Sequence, residues 1–244
     1  MVSETNKKLK PLTLALILPA YNEEEVIPYT IPLFLKEIEN LINEKIISPT
    51  SFVCIVNDGS VDNTQKLIEI LIKQYPNKIK SVKLDENKWQ NSALIKWLEC
   101  VYNKSDLAIT LDIDGQDPPW LIKQMIEEHK KWFEIVYGVR KYDRTVPFTK
   151  RFFSDAFYKI VQLLNTSIIP WHAEARLISQ KAIQIFLSEK NYHSLFLRTY
   201  FPSLKLSSKN IAYTKKARKL GKSKYDFLQL IRIGIKIIRN KKIN

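Results

Sequence analysis

Leu107-Ala108-Ile109-Thr110-Leu111-Asp112-Ile113-Asp114-Gly115-Gln116-Asp117-Pro118-Pro119 is the stretch on which the reading of the chain turns. Residues 107–111 are apolar apart from one threonine and predict a buried strand. Three carboxylates and an amide follow at its carboxyl end, and two consecutive prolines forbid its continuation. Asp112 and Asp114 stand two apart, so in extended backbone they face the same way, and a bend at Gly115 brings Gln116 alongside. Oxygen ligands clustered at a strand end suit a hard divalent cation, Mg²⁺ or Mn²⁺, shared with the phosphates of a substrate. Asp-x-Asp alone is equally an acidic turn solvated at a strand end, so the surroundings decide.

Upstream, residues 12–19, 51–56 and 79–84 predict three more strands, the first stopped by Pro19. Amphipathic helical stretches lie between them, one running to about Asn43, one from Thr64 to Tyr75 behind Asp62 or Asn63 as N-cap, and one over 92–102. Strands alternating with helices predict an α/β fold, a mostly parallel sheet covered on both faces. Ligands in such sheets collect outside the carboxyl ends of the strands. The polar clusters Pro19-Ala20-Tyr21-Asn22-Glu23, Asn57-Asp58-Gly59-Ser60 and Asp112-x-Asp114 all fall at such ends. The absence of a Gly-x-Gly-x-x-Gly or Walker motif argues against a dinucleotide enzyme or a P-loop NTPase.

A chain of 244 residues, 45% hydrophobic and with five glycines, is a folded globule of one substantial domain or two small ones. Cys54 and Cys100 lie in apolar segments and read as core residues. The polar residues 1–10 carry no secretory signal, and no apolar run reaches the eighteen or so residues of a membrane span. The expectation is a cytoplasmic protein, peripheral at the cytoplasmic face of the membrane. Charge is unevenly spread: from Lys205 to Asn244 there are thirteen Lys/Arg against the single acid Asp226, twelve of the net fourteen positive charges. An anionic partner is expected for this tail: nucleic acid, an anionic membrane surface or phosphorylated substrates. Residues 225–244 read as one helix with Phe227, Ile231, Ile235 and Ile238 on an apolar face and Arg232, Lys236 and Arg239 opposite. That pattern suits a membrane interface, and equally a helix packed on the domain or on a second copy in a homodimer.

Pro19-Ala-Tyr-Asn-Glu-Glu, Val56-Asn-Asp-Gly-Ser-Val-Asp-Asn-Thr and Asp112-Ile-Asp-Gly-Gln-Asp-Pro-Pro resemble, in order and spacing, the family 2 inverting glycosyltransferases of GT-A fold. The Gln-Asp-Pro-Pro extension resembles the branch that makes polyprenyl-phosphate sugars, the dolichyl-phosphate mannose synthase type. Val136-Tyr-Gly-Val-Arg140-x-x-x-Arg144, Lys150-Arg151-x-x-Ser154, His172-Ala-Glu-Ala-Arg176-Leu and Arg218-Lys-Leu-Gly-Lys-Ser-Lys-Tyr225 match the same branch, so the likeness runs from about residue 14 to 236. It implies a GT-A domain over 11–222, its nucleotide-binding half 11–110 and its metal and acceptor half 111–222, followed by a basic amphipathic helix over 223–244.

The resemblance implies roles residue by residue. Pro19, Tyr21, Glu23, Asp58 and Asp112, with Arg218 and Lys224, hold the nucleotide-sugar donor. Asp112, Asp114 and Gln116 face a Mg²⁺ or Mn²⁺ ion. Arg140, Arg144, Arg151, Ser154 and Arg176 serve the phosphate of a polyprenyl phosphate acceptor, undecaprenyl or dolichyl. Asp114, Glu174 and Arg140 carry the catalysis. Arginine's rigid fork suits phosphate oxygens, and a phosphate acceptor needs no proton removed from it. The alternative is a family 2 enzyme acting on a saccharide hydroxyl in surface-polysaccharide synthesis, with Glu174 as base. The chain departs from the family where Glu174 replaces Asp, Ala175 an aromatic, Asn57 the first Asp of Asp-Asp-Gly-Ser, and Asn87-Lys88-Trp89 the usual Asn-Phe-Gly. Many relatives continue into transmembrane helices, so a membrane surface or an integral membrane partner is expected here. Nucleic acid is not, because the basic residues fall in the sugar-transfer motifs and no RNA-binding pattern occurs.

Overall fold

The computed structural model describes residues 10–85, 89–141 and 168–216. In chain order the elements are β1 (Leu14–Ala20), α1 (Ile27–Asn43), β2 (Phe52–Asp58), α2 (Thr64–Gln74), β3 (Ile79–Leu84), α3 (Trp89–Val101), β4 (Leu107–Thr110), α4 (Trp120–His129) and β5 (Ile135–Lys141). Then follow β6 (His172–Ser179), α5 (Gln180–Ser188), a 3₁₀ turn (Tyr192–Ser194), α6 (Leu197–Ser203) and β7 (Ser208–Thr214).

The strands form one sheet in the order β3-β2-β1-β4-β6-β5-β7. β1, β2, β3 and β4 pair in parallel, and so do β5 and β7. β6 alone runs antiparallel, between β4 and β5, with Thr110 opposite Arg176 and Tyr137 also opposite Arg176. The carboxyl ends of the other six strands and the amino end of β6 therefore share one edge of the sheet, and every polar strand-end cluster is delivered there.

Both faces are covered, which is why the central strands read as unbroken apolar runs. Leu14, Leu16 and Leu18 of β1 pack under α1 and α4, beside Phe34, Ile38, Ile122 and Met125. Ala15 and Ile17 point the other way, into a cluster with Trp97, Leu98, Phe186 and Phe201 from α3, α5 and α6. Cys54 sits in that second layer, its thiol pushed up to about 12 by burial. Both cysteines are free. No helix among the described residues is long and apolar enough to cross a membrane.

Candidate active site

The loops after β1 and β2 are stitched together. Asn22, at φ 52°, donates its backbone N–H to Ser60 Oγ (2.9 Å), and its side-chain oxygen accepts from the Val61 N–H (2.9 Å). Glu24 Oε2 takes both the backbone and side-chain N–H of Asn63 (2.9 and 2.8 Å). Asp62 Oδ1 accepts from Thr64 N–H (3.0 Å), so Asp62 rather than Asn63 caps α2 with its side chain. β1 runs through Pro19 to Ala20, one residue past the proline expected to stop it, and half-buried Tyr21 and buried Glu23 follow, with buried Asp58 at the end of β2. Asn57 is fully buried, donating to Gln65 Oε1 (2.7 Å) and accepting from Ser60 N–H (2.9 Å). A carboxylate there has no hydrogen to give Gln65, which is a local reason for the amide.

Next to it the acidic loop turns at Gly115, φ 70°. Asp112 Oδ2 accepts from Lys215 Nζ (2.8 Å) and from Arg140 Nη2 (2.9 Å), and Asp114 Oδ2 lies 3.4 Å from the same ammonium. Two carboxylates three bonds from different backbone positions thus converge on a single cationic point. Burial alone would raise the Asp112 carboxyl, but the Lys215 and Arg140 charges outweigh it and hold it below the usual range. Asp117 lies beneath, accepting from the Asp112 N–H (3.1 Å) and from Tyr213 Oη–H (2.7 Å). Burial and the neighbouring Asp112 charge push its carboxyl up to about 6. Gln116 donates its side-chain amide to the Lys216 carbonyl (2.8 Å), while its own carbonyl accepts from Lys216 N–H (3.0 Å). It laces the segment after β7 to the acidic loop.

A second charged group sits at the start of β6. Glu174 Oε2 accepts from Arg176 Nη2 (2.7 Å) and Oε1 from Arg198 Nη2 (2.5 Å). Burial would raise this carboxyl; Arg198 and Arg176 together keep it low. Arg176 is 1% exposed, so it backs Glu174 from below. His172 is buried edge-on to Tyr137, its centroid 4.8 Å away, and burial with the charges of Arg176, Arg198 and Arg140 drives its pKa well down. Both its ring nitrogens lack a hydrogen-bond partner, as do Arg140 Nε and Arg176 Nη1. The guanidinium N–H groups and the one N–H of a neutral imidazole are thus donors left unpaired in the interior.

The structure therefore brings Asp112, Asp114, Gln116, Arg140, Glu174 and Arg176 to one edge with Pro19, Tyr21, Glu23 and Asp58. Arg144, Arg151, Ser154, Arg218, Lys224 and the helix expected over 223–244 lie outside the described residues. Lys215, Arg198 and Tyr213 were not singled out by the sequence, and Asp117 was read only as a carboxylate of the motif, with no role of its own. Arg198 carried one faint signal, a lone charge in the apolar run Leu195-Phe196-Leu197-Arg198-Thr199-Tyr200-Phe201. A metal would find Asp112 and Asp114 already converging on one cation, and phosphate oxygens would have to complete its shell. Among the described residues no group of three or more His, Cys, Asp or Glu is placed to hold an ion unaided.

Three comparisons bear on this geometry. The uncharacterized glycosyltransferase YkoT of Bacillus subtilis is 33% identical over 226 residues, 92% of this chain and 66% of its own length. The undecaprenyl-phosphate 4-deoxy-4-formamido-L-arabinose transferase of Proteus mirabilis is 26% identical, over 90% of this chain and 64% of its own. The chain thus spans about two thirds of these relatives. The mannosyltransferase PcManGT of Pyrobaculum calidifontis, solved with GDP-Man and Mn²⁺, superposes with a TM-score of 0.58 at 15% identity, over 86% of this chain and 59% of that one. It shares the GT-A fold. The model for glycosyl transferase family 2 matches residues 15–186, a span holding the two stitched loops, the acidic loop and Glu174, and the chain belongs to that family.

Proposed function

We propose that the enzyme transfers a sugar, with inversion, from a nucleoside-diphosphate sugar to a polyprenyl phosphate, using Mg²⁺ or Mn²⁺. The observation that carries the acceptor assignment is the state of Glu174. Its two oxygens are each committed to a guanidinium, and its pKa is lowered, so it is a poor general base. A hydroxyl acceptor needs such a base, whereas a phosphate monoester arrives already anionic. The relative from Proteus mirabilis, named for an undecaprenyl-phosphate acceptor, supports the same class.

In this reading the two stitched loops hold the nucleoside, with Tyr21 against the base and Asp58 and Glu23 toward base and ribose donors. Asp112 and Asp114 would hold the ion, with Gln116 fixing the loop that carries them, and the ion supplies charge neutralisation on the departing diphosphate. Arg140 sits where donor and acceptor phosphates meet, its guanidinium already oriented by Asp112. Glu174 positions Arg198 at the same edge, and Arg176 holds Glu174 from beneath. Arg144, Arg151 and Ser154 complete the acceptor side and Arg218 and Lys224 the donor side. A basic surface helix over 223–244 would keep the open edge at a membrane, alone or with an integral partner.

The test is transfer of radiolabelled sugar from UDP- and GDP-sugars to undecaprenyl phosphate in detergent, with water-soluble saccharides in parallel. Label should move to the organic phase with Mn²⁺ or Mg²⁺ and stay with the donor in EDTA. Label found only on a water-soluble saccharide would overturn the lipid acceptor and return Glu174 to the role of base.

A further inference from the structure

We propose that Lys215 is a built-in counter-ion that occupies the metal position and yields it only when a nucleoside diphosphate arrives, so that cation and nucleotide bind as a coupled pair. The inference rests on the reading of Asp112 and Asp114 as metal ligands. Its ground is a stand-in cation: the Lys215 ammonium lies 2.8 Å from Asp112 Oδ2 and 3.4 Å from Asp114 Oδ2, bridging the two carboxylates. A divalent ion held by the same two oxygens would compete with it for one space.

The backbone around Lys215 is fixed, while its side chain turns about four single bonds. β7 pairs with β5 as far as Thr214 opposite Lys141, and Lys216 is tied to Gln116 by bonds of 3.0 and 2.8 Å. Between these anchors a four-carbon stem carries a compact ammonium whose side chain is 16% exposed. Arg140, whose guanidinium also meets Asp112, comes from a neighbouring strand and stays as the fixed positive wall.

Consider the cation arriving alone. It must strip the ammonium from both carboxylates and leave it close by as a like charge with no new partner. A diphosphate changes that: its oxygens bridge to the metal and also accept the displaced ammonium. Each ligand then strengthens the other by the same factor, as linkage requires. The exchange also returns Lys215 to the place where negative charge grows on the leaving group.

Mn²⁺ binding to the full chain, followed by the EPR signal of free Mn²⁺ with and without UDP or GDP, separates the possibilities. Wild type should bind Mn²⁺ weakly alone and about tenfold or more tighter with UDP or GDP, a coupling of ordinary size. Lys215→Met should bind Mn²⁺ alone about tenfold tighter than wild type, with a smaller further gain from nucleotide than wild type shows. Lys215→Gln, which keeps a hydrogen-bonding head, serves as the second uncharged variant, and thermal melts establish that both are folded. Lys216→Met removes the same charge from the exposed neighbour and should shift Mn²⁺ affinity by less than about twofold, as for a solvent-screened charge. Equal shifts in the two methionine variants, or no shift in Lys215→Met, would overturn the role of the lysine. Absence of Mn²⁺ binding even with nucleotide, in wild type and in Lys215→Met, would instead remove the metal reading and the plug with it.

Discussion

At His172 the fold holds an imidazole that cannot take a proton without meeting three arginines in a buried site. The unfolded chain has no such difficulty and protonates near pH 6.5. A folded-state pKa driven below the unfolded one means stability present above about 6.5 and lost as pH falls, because only the unfolded state gains the proton. His172→Phe keeps an edge contact to Tyr137 and removes the titration. Between pH 7.5 and 5.5, urea unfolding of wild type should lose about 1.4 kcal/mol more than His172→Phe does. Equal losses would mean the ring is protonated in the folded state. Glu174 makes the complementary case. Gln in its place leaves Arg176, 1% exposed, facing a neutral amide, and should destabilise by about 3 kcal/mol or more in denaturant melts. Arg176 is two residues away and its nearness was readable from the sequence. Arg198 is 24 residues on, and only the turn of the chain through α5 into α6 places it there.

The elements that could be read in advance were those buried on both faces. β1, β2 and β4 are near-continuous apolar runs because helices cover each side, and the expected bounds fall within two residues of the observed ones. β7, Ser208-Lys-Asn-Ile-Ala-Tyr-Thr214, is an edge strand whose residues are mostly exposed, so it offered no apolar pattern. β6 was known as a motif, but its antiparallel insertion between β4 and β5 depends on partners remote in sequence. The same holds for Gly138: a Cβ there would lie 2.8 Å from Ala175 Cβ, so the alanine that departs from the family is packed against a neighbouring strand. Gly115 shows how turn and packing add. At φ +70° a side chain is strained, and its Cβ would stand 2.7 Å from Thr30 Cγ2 of α1. Gly115→Ala should cost about 1–2 kcal/mol for the left-handed backbone alone, plus the clash. Thr30→Ser deletes that methyl and keeps the hydroxyl that bonds the Val26 carbonyl. Adding it to Gly115→Ala should recover the clash and leave the backbone cost, a coupling that a double-mutant cycle in urea reads directly.

For the whole molecule the decisive quantity is where its charge lies. Twelve of fourteen net positive charges fall from Lys205 onward, and of these Lys215 is spent inside the site on Asp112 and Asp114. Among the described residues the carboxylates and cations of the candidate site are largely paired with one another, and those residues would exert little pull of their own on an anionic surface. The proposed acceptor, though, is anchored in one. Residues 223–244 lie outside the described part; as the helix proposed for them they would present the apolar and basic stripes that supply the attraction, each basic side chain being worth about 1 kcal/mol near anionic lipid. Replacing Arg232, Lys236 and Arg239 together by Gln should then weaken co-sedimentation with phosphatidylserine-containing vesicles by about 3 kcal/mol, roughly a hundredfold at low salt. Binding to neutral phosphatidylcholine vesicles, governed by the apolar stripe, should hardly change, and raising salt should bring wild type and variant together. Equal binding of wild type to both vesicle types would show that the stripe packs against protein instead. Sugar transfer to a short, water-soluble polyprenyl phosphate, which needs no membrane, should survive the triple substitution and so separate recruitment from chemistry.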